Sequence, residues 1–102
     1  MFLMEKTMEI FRDDGIEFTS IRTNFNNDGT LSISGQDMGP LVEQFWGDDD
    51  YEYFLSIPKK SVETFLLHFM KLAFNKDKKV TFTDCKDILE ANKIVHGFDW
   101  WA

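Results

Sequence analysis

Little in this chain can cross-link, ligate or anchor it. One cysteine, Cys85, stands among 102 residues, so no internal disulfide forms and no cysteine-based zinc site exists. That usage suits a reducing compartment. Two prolines and six glycines leave no tract that reads as a linker or low-complexity segment. No apolar run approaches membrane-spanning length. The opening Met1-Phe2-Leu3-Met4 is cut short by Glu5 and Lys6, where a secretory signal needs a basic start and a longer apolar stretch. The expectation is a cytoplasmic protein with no membrane contact.

Positive charge is also scarce. Eleven Lys and Arg face eighteen Asp and Glu, a formal charge of −7. Such a surface repels phosphate backbones, so direct nucleic-acid binding is not expected. The basic clusters, Lys59-Lys60 and Lys76 to Lys79 with Asp77 inside it, read as solvated ends of elements. An acidic surface does speed capture of a basic protein. What the chain has in plenty is aromatic: eleven Phe, three Trp and two Tyr. With 43% apolar residues it escapes the composition of disordered chains. Its length suits one domain over residues 1–102, with a core sufficient without staples.

Asp14-Gly15 and Asp28-Gly29 each sit between apolar and β-branched residues, which predicts tight hairpins with positive φ in the turn. Strands are expected near Met8 to Arg12, from Ile16 to Phe25, and over Thr30 to Ser34. The apolar phase shifts in the middle strand, from Ile16 and Phe18 to Ile21 and Phe25. Either a bulge lies near Thr19 and Ser20 or both faces are partly covered. Gly35 to Pro40 should break the sheet. A short helix over Leu41 to Trp46 is expected, with Pro40 in its first turn and Gly47 ending it.

Tyr51, Tyr53, Leu55 and Ile57 alternate on one strand face, with Phe54 on the other. After Ser61 as cap, Val62, Phe65, Leu66, Phe69, Met70 and Ala73 recur at helical spacing, ending near Asn75. Val80 and Phe82 suggest a short strand. Thr81 or Thr83 then caps a second helix to about Ala91, with Ile88, Leu89 and Cys85 inward and Asn92 at a left-handed end. Ile94 to Trp101 reads as a last strand. The order predicts an α+β fold, an antiparallel β-meander with two main helices on one face.

No catalytic residue, metal ligand or cofactor is assigned. Cys85 lies near a helix start beside Lys86, but nothing places His68 or His96 next to it as a base. Asn24-x-Asn26-x-Asp28-Gly29 imitates half a calcium loop, yet its twelfth position is Gly35 instead of Glu. The acids from Asp37 to Glu52 have no fixed ligand spacing. They alternate with aromatics, however, and an exposed aromatic ringed by acids suits a basic protein partner. The candidate partner-binding residues are Asp37, Glu43, Trp46, Asp48, Asp49, Asp50, Tyr51 and Glu52. Trp100 and Trp101, adjacent in a strand, should point to opposite faces.

The stretch Ile33-Ser34-Gly35-Gln36-Asp37-Met38-Gly39-Pro40, then Val42-Glu43-Gln44-Phe45-Trp46-Gly47-Asp48 and Asp50-Tyr51-Glu52-Tyr53, resembles small bacterial immunity proteins of polymorphic or contact-dependent toxin systems. The likeness is sharp over about twenty residues and general elsewhere. It implies a cytosolic antitoxin, not an enzyme, that covers the active site of a cognate toxin C-terminal domain. A nuclease with a basic groove is one such toxin, its phosphate places taken by the acids from Asp37 to Glu52. The same motif also has a purely structural reading, a corner joining sheet to helix. Two further functions compete: a metal-dependent hydrolase using the acidic 37–52 segment, and a homodimeric scaffold paired through an open sheet edge. A monomer or weak homodimer is expected.

Overall fold

The computed structural model describes residues 6–47 and 50–101, the side chain of Trp46 excepted. Five strands run β1 (Thr7–Asp13), β2 (Phe18–Phe25), β3 (Leu31–Met38), β4 (Asp50–Ile57) and β5 (Gly97–Trp101). They form one antiparallel sheet in chain order. Helix α1 (Pro40–Trp46) joins β3 to β4, and α2 (Lys59–Asn75) and α3 (Phe82–Ala91) fill the connection from β4 to β5. This is the α+β meander that the residue pattern predicts.

Strand alternation sorts the residues into a wet and a dry face. Ile21, Leu31, Ile33, Tyr53, Leu55 and Ile57 are buried with Phe65 of α2 and with Cys85, Ile88 and Leu89 of α3. Both long helices therefore lie on the same face. The opposite face carries Ser32, Ser34, Gln36 and Glu52, with Glu9 accepting from Ser20 Oγ at 2.7 Å and pairing with Arg12 at 3.2 Å. Phe54 and Trp101 stack on that face, their centroids 4.6 Å apart. Trp100, one residue away, lies on the dry side against Tyr51, so the two tryptophans do part as alternation requires.

Several local expectations need correction. The sheet does not stop at Gly35: β3 continues to Met38, paired on both sides, because ladder bonds to two neighbours outweigh the weak strand propensity of glycine. Of the two alternatives for the middle strand, the bulge at Thr19 or Ser20 is absent and both faces are partly covered. The register shift falls in β1, between Glu9 and Phe11, and Phe18 turns to the wet face, where the Arg12 guanidinium lies 5.0 Å from its ring centroid. Neither Asp-Gly pair makes a two-residue turn. The loops span residues 14–17 and 26–30, and only Gly29 of the two glycines has positive φ.

Helix α2 starts two residues before Ser61, with Pro58 as its N-cap. Proline sets φ in advance and has no N–H to leave unpaired, so the chain turns directly from strand into helix. The inward stripe is Val62, Phe65, Phe69 and Leu72. Leu66 and Met70 are 49% and 47% exposed, because the helix touches the sheet along a narrower seam than its apolar residues could cover. Val80 and Phe82 make no strand; Phe82 opens α3. The left-handed residue past α3 is Lys93, not Asn92, since Asn92 instead returns its side-chain N–H to the Ile88 carbonyl. The last strand begins only at Gly97.

Thr81 caps α3 in a full capping box with Asp84. The Lys76 ammonium also bonds Asp84, tying the end of α2 to the start of α3. Lys76, and next the Thr81 N–H, hold the Asp84 carboxyl below its usual pKa. A depressed carboxylate pKa adds stability above the ordinary value and loses it as pH falls through the folded one. Asp84→Ala should therefore cost about 1–2 kcal/mol at pH 7, and much less at an acid pH low enough to protonate its depressed carboxyl. Urea titrations of both chains at the two pH values check this; an equal cost at both would refute the charge-linked cap.

Candidate functional site

The two long helices leave part of the dry face uncovered. A cleft of about 820 Å³ opens there between β1–β4 and the stretch from Lys79 to Asp87. Its floor includes Ile33 and Asp37 of β3 and Tyr51 and Tyr53 of β4. Gly35 of β3 stands opposite Tyr53 of β4, and a Cβ on Gly35 would lie 2.0 Å from the Tyr53 ring. The absence of a side chain thus lets the ring lie flat across β3. From that position the Tyr53 hydroxyl donates to Asp37 Oδ1 at 2.9 Å. Thr19, the β2 partner of Asp37, donates to the same oxygen at 3.0 Å.

The rest of the site follows from register. Tyr51 is the β4 partner of Asp37 and packs on Tyr53 with centroids 5.3 Å apart. Phe82, at the start of α3, meets Tyr53 edge-on at 4.5 Å, and Phe98 of β5 follows at 6.4 Å from Phe82. Across the cleft Lys79 Nζ sits 3.9 Å from the Phe11 ring centroid, and Lys86 Nζ 4.2 Å from that of Phe98. No ion pair joins Asp37 to a Lys or Arg among the described residues. Burial, and secondarily the Asp37 charge, push the titration of both tyrosines upward. Their hydroxyls stay protonated across the physiological range.

The corner beyond Met38 joins β3 to α1 through Gly39. Gly39 takes φ 142°, and neither Gln36 nor Asp37 caps α1. The acceptor is Glu17, from the β1–β2 loop, which receives the Leu41 N–H at 3.0 Å. Gln36 instead donates to Asp50 Oδ1 at 3.1 Å. Helix α1 then shows Leu41 and Phe45 to solvent, 53% and 74% exposed, beside the exposed Glu43.

The eight sequence candidates therefore do not form one patch. Asp37 and Tyr51 face the cleft. Asp50 and Glu52 share the strand parity of Gln36 and lie toward the wet face. Glu43 projects from α1, while Asp48, Asp49 and the Trp46 side chain lie outside the described residues. Among the described residues no group of three His, Cys, Asp or Glu is placed to hold a metal ion. Sequence reasoning missed Thr19, Phe82, Phe98, Lys79 and Lys86 as cleft residues; only the odd-number parity of Asp37, Tyr51 and Tyr53 hinted at a shared face. Cys85 is buried in the cleft wall, and burial followed by the Asp84 charge pushes its thiol up to about 11. It stays a protonated, unreactive thiol.

A second exposed apolar surface runs along α2, where Leu67 and Phe74 are 70% and 86% exposed beside Leu66 and Met70. Among the described residues no helix is long and apolar enough to cross a membrane. Compared with protein-family models, curated proteins and solved structures, the chain matches none.

Proposed function

We propose that this protein is an immunity-type inhibitor, a bacterial cytoplasmic protein that binds and neutralises a cognate toxin domain by covering its active site. The observation that carries the reading is the β3–α1–β4 corner. There Leu41 and Phe45 are exposed on α1 with Glu43, and Asp50 and Glu52 follow on β4, all within the segment that resembles immunity proteins. Exposed apolar side chains on an acidic segment combine a desolvated contact with electrostatic steering toward a basic surface. The net charge of −7 acts in the same direction at longer range.

The test is retention of one toxin C-terminal domain by the tagged protein from its own strain, followed by kinetics on the purified pair. Reversing Asp48, Asp49 and Asp50 to Lys should slow association roughly tenfold and flatten its salt dependence. Phe45→Ala should raise the dissociation rate and cost about 1–2 kcal/mol of affinity. Unchanged kinetics in both variants would remove the interface from this corner.

A homodimeric interaction protein is the second reading. It is favoured by β5, an edge strand with Trp100 and Trp101 about half exposed and no Lys, Pro or bulge to blunt it. Light scattering at micromolar concentration separates the two readings.

A further inference from the structure

We propose that the cleft beside Asp37 is a receptor for a guanidinium group, an arginine side chain presented by the partner protein. This deepens the inhibitor reading and rests on it for the identity of the partner.

The argument starts from the charge on the cleft floor. Asp37 is partly buried, and its Oδ1 takes both hydrogen bonds it receives, from Thr19 and Tyr53. Oδ2 accepts none among the described residues. With no buried polar atom left unsatisfied among the described residues, Oδ2 is open to the cleft. A carboxylate oxygen that faces an aromatic-walled cleft, with no ion-pair partner among the described residues, is an acceptor for a charge-assisted hydrogen bond.

The walls select the kind of cation. Phe11, Tyr51, Phe82 and Phe98 line the cleft, and aromatic faces attract a weakly hydrated planar cation more readily than a strongly hydrated ammonium. At the rim the ammonium groups of Lys79 and Lys86 already lie over Phe11 and Phe98, so an incoming guanidinium exchanges with them on those two faces. Those two lysines and Asp13, Asp37 and Asp87 leave the lining with one excess negative charge (three acids against two lysines). The volume of about 820 Å³ exceeds what one side chain fills, so the arginine enters on a loop, with room for its neighbours.

The probe is N-acetyl-arginine methylamide, titrated into the full chain and followed by amide NMR. Saturable shifts centred on Thr19, Tyr51 and Phe82, with a Kd on the order of millimolar, are the expected result for a single side chain. The citrulline analogue, equal in shape and neutral, should bind at least tenfold more weakly. Asp37→Asn keeps an acceptor for Tyr53 and Thr19 but removes the charge, and should weaken the probe to the citrulline level. Thr83→Trp, which fills the cleft from the opposite wall and leaves Asp37 untouched, should abolish binding as well. Equal binding of citrulline, shifts elsewhere, or survival of binding in both variants would overturn the inference. The probe requires no toxin, so the two readings fail separately. A retained toxin with no guanidinium response overturns the cleft alone, and a specific guanidinium response with no toxin retained leaves the cleft standing without its partner.

Discussion

Gly35→Ala should destabilise the protein by about 3–5 kcal/mol, a large part of the 5–15 kcal/mol typical of a domain. The added Cβ would lie 2.0 to 2.6 Å from three atoms of the Tyr53 side chain. Tyr53 is only 8% exposed and is wedged against Phe82, so it cannot swing aside without opening the core. Overpacking of this kind costs about 1–3 kcal/mol. Displacing the ring also breaks its hydrogen bond to the Asp37 carboxylate, worth about 1.5–3 kcal/mol for a charged acceptor. A double-mutant cycle separates this from any effect on strand propensity. Once Tyr53 is Ala, adding Gly35→Ala should cost under about 1 kcal/mol, because nothing remains to collide with. Urea denaturation of the four chains decides it, and additive costs would show that the Gly35–Tyr53 contact is not the cause.

Leu89→Ala should cost about 3–5 kcal/mol. Leu89 is fully buried at the seam where α3 meets the sheet, and Ala keeps the helix propensity, so the loss reports packing alone. The same change at Leu67, 70% exposed on α2, should stay within about 0.5 kcal/mol. The contrast matters for the site, since α3 supplies one wall of the cleft through Phe82 and Lys86. A loosened α3 should therefore weaken the guanidinium probe as well as lower the melting temperature. Thermal melts of both variants check the stability arm; comparable losses at the two positions would mean that α2 is packed against something along its outer stripe.

Elements with a local cause were legible in the residues alone. The inward parity of Tyr51, Tyr53, Leu55 and Ile57, the Pro40 start and Gly47 end of α1, the Thr81 cap of α3 and the opposite faces of Trp100 and Trp101 all follow from single-residue stereochemistry or short periodicity. So did the order of strands and helices, the strand expected at Val80 and Phe82 excepted, and with it the α+β class. Errors arose where a distant neighbour overrode the local signal. Gly35 reads as a sheet breaker, yet β2 and β4 pair with it on both sides. Leu66 and Met70 read as core, yet the sheet under α2 is reached only by Phe65 and its inward neighbours.

The site divides in the same way. Composition and periodicity by themselves determined that this is an acidic, aromatic-rich chain with one antiparallel sheet, two long helices and no disulfide. Only the tertiary structure decided that Asp37 and Tyr51 part from Asp50 and Glu52, because strand parity sends neighbours to opposite faces once the register is set. It also decided that Thr19, Phe82 and Phe98, distant from Asp37 in sequence, line one cleft with it. Register and helix placement are set by the total burial of many side chains at once. No window of the sequence contains that sum.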